Sequence, residues 1–267
     1  MDQTTARPTA IAAAADRIRE AARSGVPCAP VRDLIGRDDL TAAYAVQQQV
    51  VAEQVAQGAR VVGRKIGLTS PAVQEQLGVD QPDFGVLLDT MAYLGGDTVP
   101  ATAVLQPRVE AEIAFLLEAD LADGPLDLAD VRAAVGYAVP ALEICGSRIA
   151  GWDISFGDTV ADNASSGAYV LGPTRKRLDA VEPREVAMSM SVDGEVVSTG
   201  SGDACLGDPL LALQWLARQA RDFGEPLRAG QVVLSGALGS MRPVPLGSTV
   251  TATLSGLGSV TVNLGEE

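Results

Sequence analysis

Apolar residues recur at helical spacing through the first sixty positions of the chain. The stretch TAIAAAADRIREAARSG has Thr9 as a helix cap, an Ala-rich amphipathic body and Gly25 as a stop signal. A second stretch, LTAAYAVQQQVVAEQVAQG, opens at Thr41 and closes at Gly58 in the same way. We therefore predict a helical N-terminal segment over residues 1–60.

Beyond residue 60 the pattern changes to short apolar runs, which are typical of β-strands. RVVGRKIGL is strand-like, SPAVQEQLG predicts a short helix closed by Gly78, and VDQPDFGVLLDTM combines turn residues with a short strand. One amphipathic helix is expected between Asp208 and Gly224. The sequence thus predicts an α+β protein, with the helical segment packed on a mixed β core over residues 61–267. The further strands are predicted over residues 109–117, 137–145, 167–172, 186–192, 195–200, 231–235, 248–254 and 259–264.

Composition narrows the classes of partner. The chain has 267 residues, of which 47% are hydrophobic, and its net charge of −14 leaves no basic face for a nucleic acid. No apolar run reaches the roughly 18 to 20 residues of a membrane span, and MDQTTARPTA lacks the apolar core of a signal peptide. The three cysteines have no CxxC spacing, so we expect reduced thiols and a cytoplasmic protein.

Histidine is absent from the sequence. This absence excludes Ser-His and Cys-His nucleophiles and the usual zinc and iron ligand sets. Any catalysis must then use carboxylates, lysine, hydroxyls, thiols or a hard metal ion.

Two carboxylates stand two positions apart in the strand-like run RVEAEIAF. Residues i and i+2 of a strand share a face, so Glu110 and Glu112 point the same way, as does Arg108. Carboxylates about 7 Å apart repel by roughly 2–3 kcal/mol at an effective dielectric near 20. A solvated strand face or pairing with Arg108 is the plain structural explanation, and a bound cation is the functional one.

A third acid favours the cation. Glu143 is the only charge in the apolar run YAVPALEICGS, and glutamate is rarely buried unless it is paired or coordinated. Three carboxylates on two strand-like segments, without histidine, indicate a site for a hard divalent cation such as Mg²⁺ or Mn²⁺.

Several stretches together resemble one known family. They are GRKIGLTSPAVQEQLGVDQPDFGVLLDTM, LQPRVEAEIAFLL, PALEI, SRIAGWDISFGDTVADNASSGAYVLG, LGDPLLALQWLA and VVLSGALGSM. In order, over about residues 35–264, they resemble the fumarylacetoacetate hydrolase superfamily, in its branch of 2-keto-4-pentenoate hydratases, 2-oxohept-3-enedioate hydratases and 4-oxalocrotonate decarboxylases.

The resemblance implies a roll- or barrel-like sheet and a metal-dependent hydro-lyase of aromatic catabolism. The implied reaction is reversible addition of water to a 2-hydroxy-2,4-dienoate, which gives a 4-hydroxy-2-oxo acid. Mg²⁺ or Mn²⁺ would be held by Glu110, Glu112 and Glu143. A homo-oligomer, with a pentamer-based assembly as one form, is also implied.

Two further residues are candidate catalytic groups. Lys65 is a lone cation in an apolar strand, which fits either a side chain that snorkels to the surface or one that stabilises an enolate or carboxylate. Asp83 in QPDFG is a turn former by composition. By resemblance it lies in a loop over the substrate and is a candidate acid/base.

Candidate substrate-binding groups lie in two polar stretches. DTVADNASSG supplies Ser165 and Ser166, for which capping and turn roles are the alternative. LSGALGSM supplies Ser235 and Gly236, near which backbone N–H groups can approach an anion, although glycine is equally at home in a plain turn.

Four positions depart from the pattern of the hydratases: Gly146, Asp203, Asp208 and Arg242. Gly146 stands where an aspartate is usual, and Arg242 at the mouth of the site would favour a substrate with an extra anionic group. Three alternatives to hydration therefore stay open: decarboxylation of a 2-oxo-enedioate, recruitment to a specialised biosynthetic pathway, and a non-catalytic assembly partner.

Overall fold

The N-terminal segment is helical. The structure is a computed structural model that describes residues 3–70, 74–75 and 79–266. Its first three helices are α1 (Gln3–Ser24), α2 (Arg32–Ile35) and α3 (Leu40–Ala56). The short helix predicted over residues 70–78 lies mostly outside the described residues.

Both predicted helix starts are wrong. Helix α1 already runs through Thr9, having begun at Gln3. Helix α3 is capped by Asp39, whose side chain accepts a hydrogen bond of 3.0 Å from Ala42 N, so Thr41 lies inside the first turn. Asp39 also forms an ion pair with Arg7 of α1 at 2.9 Å. The carboxylate therefore caps one helix and ties it to the other, a link that the local pattern does not reveal.

Within the described residues, the remaining chain forms two mixed sheets and three further α-helices of four residues or more. All eight strands predicted after residue 100 are confirmed to within two residues, and β3, β4 and β11 are additional. The strands are β1 (Val61–Gly67), β2 (Asp83–Leu88), β3 (Ala92–Leu94), β4 (Thr98–Val99), β5 (Arg108–Leu117), β6 (Val135–Cys145), β7 (Ala168–Leu171), β8 (Ala187–Val192), β9 (Glu195–Ser201), β10 (Val232–Ala237), β11 (Arg242–Pro243), β12 (Thr249–Leu254) and β13 (Gly258–Leu264). The helices are α4 (Leu128–Ala134), α5 (Phe156–Ala161) and α6 (Pro209–Asp222).

Helices α4 and α5 were not expected in a segment that the pattern predicts as mostly β. Each begins with a capping box, at Asp127 and Ser155 respectively. Both are too short for a 3.6-residue periodicity to stand out, so capping and tertiary contacts decide them. Helix α6 is confirmed, with Asp208 as its N-cap at 2.8 Å from Leu210 N.

The larger sheet positions the candidate site. Its order is β2-β1-β10-β5-β6-β7-β3, with β11 paired to β5. Strand β10 lies parallel to β1 and antiparallel to β5, so it brings β1 next to the segment with the paired acids. The register of β5 and β6 sets Glu110 opposite Glu143 and Glu112 opposite Ala141.

The smaller sheet has the order β4-β13-β12-β8-β9, and its β12 and β13 contact β6. Buried residues of α1 and α3, such as Ala14 and Val46, belong to the same core cluster as Ile113 and Val250 of the two sheets. The α+β fold is confirmed, while the division of the chain at residue 60 stays a prediction. None of the helices in the described part of the chain is long and apolar enough to cross a membrane.

Candidate metal centre and active site

Two acids and a thiol meet on one face of β5 and β6. Glu110 and Glu143 are direct cross-strand partners, so their side chains share a face. Cys145, two residues after Glu143, lies on that face too, and its Sγ donates to Glu110 Oε2 at 3.6 Å. One ligand atom from each of the three lies within 4.8 Å of the others. Cys145 was not among the predicted site residues, although its i+2 spacing from Glu143 was a signal for it.

Glu112 lies beside this group with one oxygen already engaged. Its Oε2 accepts a hydrogen bond of 2.8 Å from Gly236 N, whereas its Oε1 is buried and has no hydrogen-bond partner. Gly236 has a φ of 106°, and a Cβ there would lie 2.4 Å from Thr69 Oγ1. The glycine is therefore required for its own N–H to meet Glu112. The anion that this N–H binds is a protein carboxylate.

Lys65 faces the acids from β1. Its side chain is only 4% exposed, and its Nζ lies 3.2 Å from Glu143 Oε1. The snorkelling alternative is thus wrong. Burial by itself would lower the pKa of Lys65, but the negative groups around it, led by Glu143, raise that pKa above its ordinary value. Lys65 is a permanent cation at the acid cluster.

The expected turn or loop position of Asp83 is wrong, because Asp83 begins β2 and pairs with Gly67 of β1. It is buried, and its Oδ1 has no hydrogen-bond partner. A Cβ at Gly67 would lie 2.2 Å from that oxygen, so the glycine makes room for the carboxyl group. Burial raises the pKa of Asp83 to about 6, while Lys65 opposes the shift and Glu143 adds to it. A carboxyl group with this pKa can exchange a proton near neutral pH.

Neither plain explanation for the paired acids holds. Glu112 is fully buried and Glu110 is partly buried, which excludes a solvated strand face. Arg108 instead lies with its guanidinium carbon 4.3 Å from the centre of the Trp152 ring, a cation–π contact.

The acid cluster is under-compensated. Among the described residues, Glu143 Oε2, Glu112 Oε1 and Asp83 Oδ1 are buried without a hydrogen-bond partner, and Glu143 Oε1 has only its ion pair with Lys65. Burial, and after it the negative charge of Glu143, raises the pKa of Glu110 to about 7. Burial also raises the pKa of Glu112 well above its ordinary value. Buried charge without partners is costly, so these oxygens fit a divalent cation, which supplies the missing positive charge.

Ser165 and Ser166 lie in a strained turn. Asn163, Ala164 and Ser165 have φ values of 54°, 52° and 55°, a left-handed run that non-glycine residues rarely adopt. Asn163 holds the turn by two hydrogen bonds to the backbone of Val86, at 2.8 and 2.9 Å.

Both serine hydroxyls of this turn have partners within the protein. Ser166 Oγ donates to Asn163 O at 2.7 Å, and Ser165 Oγ shares a hydrogen bond with Thr159 Oγ1 at 3.1 Å. Ser235 is fully buried, and its Oγ lies 3.5 Å from Gly236 O. Substrate binding by these serines stays a prediction.

The departures from the hydratase pattern have structural partners outside the acid cluster. Arg242 Nε donates to Val197 O at 2.7 Å, Asp203 accepts from the Ser201 hydroxyl, and Asp208 caps α6. Gly146 packs so closely that a Cβ there would lie 2.4 Å from Val104 Cγ1. In this chain, therefore, the Val104 side chain takes the space that a larger residue at position 146 would need.

The fold and the buried acid cluster define the class of protein. The pattern of the fumarylacetoacetate (FAA) hydrolase C-terminal family matches residues 59–264, and the chain belongs to this family. The resemblance expected from the sequence is confirmed.

Particular relatives are similar over nearly the whole chain. The chain is 55% identical over 257 residues to the TodF product hydratase of Pseudomonas putida, covering 96% of both chains. It is 53% identical to a 2-keto-4-pentenoate hydratase of Burkholderia vietnamiensis, covering 94% of this chain and 95% of the relative. Among solved structures, the 4-oxalocrotonate decarboxylase of Pseudomonas putida G7, complexed with magnesium and adipate, is 32% identical. It superposes with a TM-score of 0.91 over 99% of this chain and 98% of its own.

Proposed function

We propose that this protein is a metal-dependent hydratase that adds water to a 2-hydroxy-2,4-dienoate and gives a 4-hydroxy-2-oxo acid. The observation that carries the proposal is the buried Lys65, which faces a cluster of acids that contains three buried oxygens without partners. The two relatives at 53% and 55% identity, both named as hydratases, support the same reaction.

Glu110, Glu112 and Glu143 would hold the divalent cation. Their all-oxygen donor set and their unpaired buried oxygens suit Mg²⁺ or Mn²⁺. The solved relative complexed with magnesium supports this choice. When bound, the ion supplies Lewis-acid polarisation of the substrate's 2-oxo group.

Lys65 supplies a fixed positive charge. Its ammonium is buried and held by Glu143, so it needs no reorganisation when negative charge develops on the substrate. It stabilises the enolate oxygen or the carboxylate of the substrate, and thereby lowers the barrier of the step in which that charge forms.

Asp83 moves the proton. Its pKa of about 6 lies near the working pH, where a carboxyl group can both accept and return a proton. Next to Lys65 and Glu143, it takes the proton from the water that attacks C4. In the reverse reaction, dehydration, it returns the proton to the hydroxyl group that leaves C4.

Product analysis separates hydration from its alternatives. The similarity to the 4-oxalocrotonate decarboxylase favours decarboxylation as the second candidate. The chain is incubated with a panel of 2-hydroxydienoates and 2-oxo-enedioates plus Mg²⁺ or Mn²⁺, and the products are identified by mass spectrometry. Gain of a water supports hydration, and loss of carbon dioxide supports decarboxylation. An inactive chain that binds metal would favour an assembly partner.

The proposal also covers the state of the thiols, the cell compartment and the oligomeric state. Cys28, Cys145 and Cys205 are all free, which agrees with the predicted reduced thiols. We infer a cytoplasmic homo-oligomer, of pentamer-based form, with a small-molecule substrate and no nucleic-acid partner. A monomeric mass by light scattering across micromolar concentrations would contradict the oligomer.

A further inference from the structure

The thiol of Cys145 has no part in the proposed hydration. It is 3% exposed and lies inside the acid cluster, with Sγ 3.6 Å from Glu110 Oε2. Glu143, two residues earlier on β6, is fully buried, and its Oε2 has no hydrogen-bond partner, whereas its Oε1 lies 3.2 Å from Lys65 Nζ. The cluster therefore offers a sulfur ligand next to a buried carboxylate oxygen without a partner.

The spacing of these atoms suits one metal ion. Zinc bonds thiolate sulfur at about 2.3 Å and carboxylate oxygen at about 2.0–2.2 Å. In a tetrahedron such bonds separate the sulfur from the oxygen by about 3.5–3.7 Å. The observed separation between Cys145 Sγ and Glu110 Oε2 is 3.6 Å. The third ligand atom, from Glu143, lies within 4.8 Å of both.

We propose that Glu110, Glu143 and Cys145 form a second binding mode of this centre, selective for thiophilic cations such as Zn²⁺ and Cd²⁺. On binding, the Cys145 S–H bond breaks, its proton passes to the solvent buffer, and the sulfur forms a bond to the metal without any change of oxidation state. Hard cations such as Mg²⁺ prefer oxygen and leave the thiol uncoordinated. A thiophilic ion would thus compete with the Mg²⁺ or Mn²⁺ that supports hydration, and it would bind the Cys145 sulfur as well as the carboxylate oxygens. The inference rests on the proposed carboxylate metal site.

The other two thiols provide matched controls. Cys205 is buried as well, but its Sγ donates to the backbone oxygen of Ser235 at 2.8 Å. Cys28 is half-buried in an isolated bridge with Ile149. Neither belongs to a group of ligand atoms found among the described residues.

The test follows the sulfur directly. Chelator-treated protein is titrated with Cd²⁺, and the ultraviolet sulfur-to-cadmium charge-transfer absorption is recorded. We expect this band to saturate at one Cd²⁺ per chain in the native protein and in the variants Cys28→Ser and Cys205→Ser. The band should be lost in Cys145→Ser. The Cd²⁺ affinity of Cys145→Ser should fall by more than the roughly 10- to 100-fold that loss of an outer-shell partner costs. Glu143→Gln should retain the thiol and still bind Cd²⁺ more weakly, which a lone thiol would not do.

Several outcomes would overturn the inference. They are a band that persists in Cys145→Ser, the absence of a band in the native chain, or unchanged Cd²⁺ affinity in Glu143→Gln. Circular dichroism and a second variant, Cys145→Ala, separate loss of a ligand from failure to fold. Calorimetric titration with Mg²⁺ is run alongside. Mg²⁺ binding without a sulfur band would refute only the thiol mode, whereas a sulfur band without Mg²⁺-supported turnover would refute only the hydratase.

Discussion

Replacement of Lys65 by methionine tests whether the buried ammonium acts on the substrate. Methionine keeps much of the apolar stem and removes the charge. Lys65 Nζ lies 3.2 Å from Glu143 Oε1, and such a pair attracts by roughly 5 kcal/mol at an effective dielectric near 20. Because the substitution leaves a buried carboxylate without its partner, we expect the metal-free variant to lose about 3–5 kcal/mol of unfolding free energy.

With the metal bound, the same substitution should act mainly on turnover. Loss of one preorganised electrostatic partner lowers kcat about 100- to 1000-fold, which corresponds to an activation barrier higher by about 3–4 kcal/mol. The Mg²⁺ affinity should change little or rise, because the substitution removes a neighbouring cation. Glu110→Gln should behave in the opposite way, with weaker Mg²⁺ binding first and lower turnover as a consequence. Steady-state kinetics at saturating Mg²⁺ and calorimetric titration of both variants measure the two effects.

Arg64 offers a matched control on the same strand. Adjacent residues of a strand point to opposite faces, and Arg64 forms its ion pair with Glu225, at 2.6 Å, away from the acid cluster. Its side chain is 5% exposed, similar to that of Lys65. Arg64→Met should therefore lower the stability but leave the kcat of the folded enzyme unchanged. Near-native kcat in Lys65→Met would refute the reasoning and make Lys65 a structural cation.

The remaining predictions concern the metal, the pH and one glycine. Excess chelator should abolish turnover, and Mg²⁺ or Mn²⁺ should restore it better than Zn²⁺; full activity in chelator with no ion found by elemental analysis would contradict the metal site. The pKa of Glu110 is about 7 without metal, and that of Glu112 is raised well above its ordinary value, so protons compete with the cation. The Mg²⁺ affinity measured by calorimetry should hence fall as the pH decreases below about 7. An affinity that does not depend on pH would show that protons and Mg²⁺ do not compete for these carboxylates. Gly236→Ala should lower the unfolding free energy measured by urea titration by about 1–3 kcal/mol, because a φ of 106° is strained for alanine and the new Cβ would meet Thr69. An unchanged urea midpoint would show that the turn relaxes around the alanine.

Local pattern alone was sufficient for most of the strands and for part of the site. Short apolar runs predicted β5 and β6 to within two residues, and the two-residue period of a strand put Glu110 and Glu112 on one face. The lone Glu143 in an apolar run and the absence of histidine pointed to a hard cation. The shared strand face and the burial of Glu143 are confirmed, because side-chain direction in a strand depends on a few neighbouring residues, while the cation itself stays a prediction.

Tertiary structure decided which of these groups meet. The register of β5 and β6 sets Glu110 opposite Glu143 and adds Cys145, and strand β10, inserted from more than a hundred residues away in sequence, brings Lys65 towards them. The cap of α3 at Asp39 and the short helices α4 and α5 were likewise missed. The physical reason is that strand order, register and capping contacts depend on pairing between distant segments, whereas hydrophobic periodicity records only which face of each segment is buried.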